Sequence, residues 1–86
     1  MNKLDFELLR NDNDNENGHD DYWFKVKGDS LEELDKDYME TGMVGVSEIV
    51  YSKDEDVVGI KRLFHFSWDV ILVNNEELKG ILRELS

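Results

Sequence analysis

The sequence contains no cysteine and no proline, and alanine and glutamine are missing as well. Without cysteine there can be no disulfide, no thiolate ligand for zinc and no cysteine nucleophile. Basic residues are few, with 10 Lys and Arg against 21 Asp and Glu, for a formal charge of −11. That balance argues against direct binding to nucleic acid, because affinity for a phosphate backbone comes from basic clusters and the nearest one here is Lys61-Arg62. No apolar run approaches the length needed to span a membrane. Residues 1–10 carry Lys3, Asp5, Glu7 and Arg10, which leaves no uninterrupted apolar core for a secretory signal. A soluble, cytoplasmic protein without membrane contact is therefore expected. Seven asparagines beside the missing alanine, proline and glutamine suit an AT-rich bacterial or phage genome.

What is present is enough for one core. The 86 residues are 40% hydrophobic and include four Phe, three Tyr and two Trp. This is too apolar for an acidic disordered tail and too short for two domains. A single domain over residues 1–86 is expected, with a flexible acidic loop at 11–21.

Residues 3–10 place Leu4, Phe6 and Leu8 at period two with Asp5 and Glu7 between them, the pattern of a half-buried strand. Residues 11–21 have no apolar side chain and are rich in turn formers, so they read as a loop. Tyr22, Phe24 and Val26 then alternate with Trp23, Lys25 and Lys27 in a second strand. Ser30 and Glu33 have the spacing of a capping box, and Leu31, Leu34, Tyr38 and Met39 form a helical stripe that Gly42 is placed to end. Residues 44–52 read as a third strand, 53–56 as a polar turn and 57 onward as a fourth strand. Its even positions, Val58, Ile60, Phe64, Phe66 and Trp68, are expected on the buried face, which assigns Trp68 to the core. Because 57–73 is too long for one strand, a break is expected at 67–69, with a fifth strand over 70–73. Leu78, Ile81, Leu82 and Leu85 mark a final helix capped by Asn74 or Asn75. The order ββαβββα gives an α+β fold: a mainly antiparallel sheet of about five strands with two short helices.

No motif for catalysis emerges. An EF-hand alignment puts Asn13, Asn15 and Asn17 at ligand positions one, three and five with Gly18 at six, but position twelve falls on Phe24 and strands flank the segment. The two histidines, His19 and His65, have no metal-binding spacing. Ser47 or Ser67 with His65 and Asp69 lacks any nucleophile-elbow pattern. The residues point to a protein that is not an enzyme and uses no metal or cofactor.

The charge is unevenly spread, with thirteen of the 21 acids in residues 1–42. On the first predicted helix, Glu33, Asp37 and Glu40 recur at like-charge spacing, which disfavours the helix. Either a solvated face that keeps a small protein soluble or a surface made for a basic partner accounts for it; in the second case a dense negative field speeds encounter and rejects wrong partners. The expected contacts are Glu32, Glu33, Asp35, Asp37 and Glu40, with Trp23 and Tyr38 as aromatic anchors. The expected function is inhibition of a basic protein, such as a nuclease toxin held by its immunity protein or a defence nuclease blocked by a phage nucleic-acid mimic. The competing expectation is a regulatory or structural accessory domain, a homodimer joined through a sheet edge or the Trp23 face.

Overall fold

The computed structural model describes residues 4–38, 45–64 and 66–86. Seven elements follow one another: β1 (Phe6–Asp14), β2 (His19–Val26), α1 (Asp29–Tyr38), β3 (Val46–Ser52), β4 (Val57–Phe64), β5 (Ser67–Val73) and α2 (Glu76–Leu85). The strands form one antiparallel meander in the order β1-β2-β3-β4-β5. This is the expected α+β architecture with the order ββαβββα.

Alternation along each strand decides which side chains meet the helices. Phe6, Phe24, Val26, Ile49, Tyr51, Val58 and Ile60 are buried on one face, and Leu34 of α1 with Leu78 and Leu82 of α2 close over them. A two-layer α+β core of this kind leaves the other sheet face to solvent or to a partner. The last helix forms as its sequence specifies. Asn75 is the cap, its side-chain oxygen accepting the Leu78 N–H at 3.1 Å, and Leu78 and Leu82 on the apolar stripe have no exposed surface.

α1 starts differently from the expectation. The helix already includes Asp29, and Ser30 is not its cap: the buried hydroxyl accepts the Asp5 N–H at 2.6 Å and so ties the start of the chain to the helix. The stripe is represented by buried Leu34 and half-exposed Leu31, while the Tyr38 side chain, Met39 and Gly42 lie outside the described residues.

Two further expectations are corrected. The acidic segment 11–21 is largely strand, since β1 runs to Asp14 and β2 begins at His19, leaving a turn at 15–18. Side-chain bonds replace apolar packing there: Asn11 Nδ2 donates to Asp20 Oδ1 at 2.8 Å, and Asn17 Nδ2 to Asp14 Oδ2 at 2.6 Å. Gly18, at φ 71, supplies the left-handed residue that the turn needs. The break in the 57–73 run also comes earlier, between Phe64 and Ser67, which pair directly. In this register Ile71 pairs with Ile60 on the core face, which moves Trp68, Val70 and Leu72 to the opposite face. Trp68 is therefore not a core residue but 55% exposed, and Phe66 is 98% exposed at φ 67.

Because Leu82 and Leu85 lie on the same helix at 0% and 46% exposure, one substitution measures the packing. Leu82→Ala should lower stability by about 2–5 kcal/mol in urea unfolding, and Leu85→Ala by less than about 1 kcal/mol. Equal losses would contradict this placement of α2.

Candidate functional site

The face without helices is built from residues of opposite parity to the core. Trp23 of β2 stands there as expected, between Arg10 of β1 and Val50 of β3 in register. The Arg10 guanidinium lies 4.9 Å from the centre of the Trp23 ring, and the Lys61 ammonium 5.3 Å from that of Trp68. Glu48 links the two cations, accepting from Arg10 at 3.3 Å and from Lys61 at 3.2 Å. The two tryptophans thus flank a cation–carboxylate–cation row that crosses β1, β3 and β4. Gly59 sits beneath the neighbouring aliphatic cluster, where a Cβ would come within 2.9 Å of Val70 and 3.0 Å of Val50. Its missing side chain lets those two valines close over the backbone.

α1 occupies the other face, so the expected contact residues do not form one surface. Leu34 packs into the core beside Phe24, whereas Trp23 alternates away from it. Glu32 is exposed, and Asp29, Glu32, Glu33 and Lys36 line a shallow polar depression. Asp35 points inward to the chain itself: its Oδ1 accepts the Val46 N–H at 2.7 Å and fixes the start of β3. Gly45 makes that approach possible, because a Cβ there would lie 2.6 Å from the carboxylate. The side chains of Asp37 and Tyr38, and all of Glu40, lie outside the described residues.

A different acidic surface forms where two turns meet, and no spacing of residues marks it in advance. The Lys53 N–H donates to the Asp20 carbonyl at 2.9 Å, and the Asp20 N–H to Asp54 Oδ1 at 3.1 Å. These bonds bring the β1–β2 tip, with exposed Asp12, Asp14 and Glu16, against the β3–β4 turn with Asp54 and Glu55. Asn17 hydrogen bonds hold the Asp14 carboxyl below the usual carboxylate range. Among the described residues, no group of three or more His, Asp or Glu side chains could hold a metal ion. No helix there is long and apolar enough to cross a membrane.

Asp56 closes the turn to α2. At φ 55 it accepts from the Tyr51 hydroxyl at 2.6 Å and from Arg83 Nη2 at 2.8 Å, with Lys79 at 4.0 Å. The Arg83 bond, then the Tyr51 bond, lowers the Asp56 pKa, and the same pairing raises that of Arg83. The chain matches no protein family, no curated sequence and no solved structure with which it was compared.

The contact of Asp56 with Tyr51 and Arg83 has a defined pH dependence. A carboxyl whose pKa is lower in the folded state contributes stability above its unfolded value, about 3.9, and that contribution is lost as pH falls through the folded value. Asp56→Asn should therefore lower the melting temperature at neutral pH, with the gap to the parent narrowing below about pH 3.9. A gap independent of pH would show that the Asp56 charge does not hold α2.

Proposed function

We propose that the protein is a non-catalytic, cytoplasmic inhibitor that docks on a basic protein, in the manner of an immunity protein or a nucleic-acid mimic. The partner is a nucleic-acid-handling enzyme whose own ligand site is basic. The observation that carries this reading is the separation of charge within the fold. Arg10, Lys61, Arg62, Lys79 and Arg83 are each engaged in ion pairs on the sheet or against α2. Carboxylates from two turns meanwhile gather at one end of the molecule, braced by the Asp20–Asp54 bond.

Gathering like charge costs stability, because neighbouring carboxylates repel in the folded state more than in the extended chain. A basic surface laid over Asp14, Glu16, Asp54 and Glu55 would relieve that repulsion, so the field favours association and orients it. Glu32 and Glu33 on α1 supply a second acidic strip, which a large partner can reach around the edge of the sheet. The protein needs no reactive group for this activity: it competes with a polyanion for the same cationic site.

The reading is tested by capturing partners from the native source on immobilised protein and following association of the recovered protein at rising salt. The Debye length shrinks from about 10 Å at 0.1 M salt to about 3 Å at 1 M, so the association rate should fall by on the order of tenfold or more. Glu16→Lys with Glu55→Lys should reproduce that loss at low salt and abolish inhibition of the partner, while Glu32→Lys reports the share of α1. A partner that is acidic, or an association rate indifferent to both salt and charge reversal, would refute the proposal.

A further inference from the structure

The two margins of the sheet are unlike. β1, at one margin, carries Glu7, Arg10, Asp12 and Asp14, and its register shifts between Leu8 and Arg10. Charges and a bulge are the usual protection of an edge strand against pairing with another chain. β5, at the other margin, runs Ser-Trp-Asp-Val-Ile-Leu-Val from Ser67 to Val73, with no register shift and with Asp69 as its only charged residue. That aspartate is held by Arg62, Nε to Oδ1 at 3.1 Å. β5 pairs with β4 along one side, and among the described residues no strand pairs with the other. α2 packs over β3 and β4.

The side chains next to this edge are apolar and open. Trp68, Val70 and Leu72 are 55%, 48% and 73% exposed on the helix-free face, and Phe66 is 98% exposed at the start of the strand. Together they expose on the order of 500 Å² of mostly apolar surface, at the upper end of what a lone soluble domain shows. We infer that β5 is a dimerisation edge: a second copy of this chain pairs antiparallel with it about a two-fold axis at Val70, joining two five-stranded sheets into one of ten.

A second copy fits for three reasons. An isologous pair satisfies the open backbone N–H and C=O groups of both edges at once and sets the same apolar strip beside itself. The two-fold axis sets Val70 against its own copy and Trp68 against Leu72 of the second copy, so a large ring meets an aliphatic side chain at both ends. Electrostatics selects the antiparallel arrangement. The acidic hairpin end at residues 12–21 and the turn at 53–56 lie at the end of the sheet where β5 finishes, and antiparallel pairing sends the two acidic ends in opposite directions. Parallel pairing would set two chains of net charge −11 with their acidic ends side by side.

Sedimentation of the full chain over a concentration series tests this. A reversible dimer of twice 10.1 kDa is expected. It should tighten as salt rises, the opposite of the salt effect expected for a basic partner, so the two proposals can fail separately. Val70→Lys and Leu72→Lys change exposed side chains, and each should return the protein to monomer with its far-ultraviolet circular dichroism unchanged. The chain has no cysteine, which permits a second, direct measurement. Facing residues of a hydrogen-bonded antiparallel pair lie about 5.5 Å apart, within disulfide reach, so V70C should oxidise to a linked dimer more than about tenfold faster than L9C on the opposite margin. A monomer at all concentrations, a dimer that survives both lysine substitutions, or equal cross-linking of V70C and L9C would overturn the inference.

Discussion

The structure depends on burying one face of a single sheet beneath two short helices. Leu34, Leu78 and Leu82 are the helix side chains that close the core over Phe24, Ile49, Val58 and Ile60, and all are almost fully buried. A domain of this size has little burial to spare, so its apolar residues go first to the face that the helices can reach. The opposite face must then be held by other means. Cations over tryptophan rings, a carboxylate shared between two strands, and valines closing over Gly59 do so without a third layer.

This arrangement also determines where charge can act. Arg10 and Lys61 on the helix-free face and Arg83 near the end of α2 each lie within 4 Å of a carboxylate. Asp12 pairs with Arg10 at 3.5 Å, whereas the local partners of Asp14 and Asp20 are asparagine amides and backbone N–H groups. Hydrogen bonds of this kind stabilise a carboxylate without cancelling its charge. The excess of acid therefore becomes a property of one end of the molecule. Asp35 shows the reverse case, a carboxylate taken out of the surface to secure the first N–H of β3.

Much of the fold was legible because pattern and packing agree. Period two in Phe6, Tyr22, Phe24 and Val26 marks the buried face correctly, and the Leu78–Ile81–Leu82 stripe behind Asn75 marks α2. The reading failed where the local signal was missing. The turn between β4 and β5 has no glycine, proline or asparagine, and Phe66 takes up the positive φ that such a turn usually gives to glycine. With no turn visible in the sequence, the even-numbered residues read as one continuous face, which assigns Trp68 to the core. The Asn/Asp segment failed for the complementary reason: its strands extend past the core, where amide–carboxylate bonds replace apolar alternation. Of the site, the sequence showed Trp23 facing away from Tyr22 and Phe24. It could not show that α1 lies on the other side, or that residues 20 and 54 meet, because both are long-range consequences of strand order.

The acidic end and the β5 margin make compatible demands on the molecule. The turns that gather carboxylate lie beyond the end of the sheet, whereas β5 offers its long side, so a basic protein and a second copy would not compete for the same surface. Antiparallel joining of two β5 strands leaves both acidic ends outermost and facing apart. A pair of chains so joined is bivalent, and a partner with two basic sites at matching separation would bind the second end as an intramolecular event, gaining avidity without any new contact. Such a pairing would also account for acid being tolerated at the ends and scarce along β5: repulsion between copies falls with distance and screening, and an antiparallel two-fold would place the like charges where that distance is greatest.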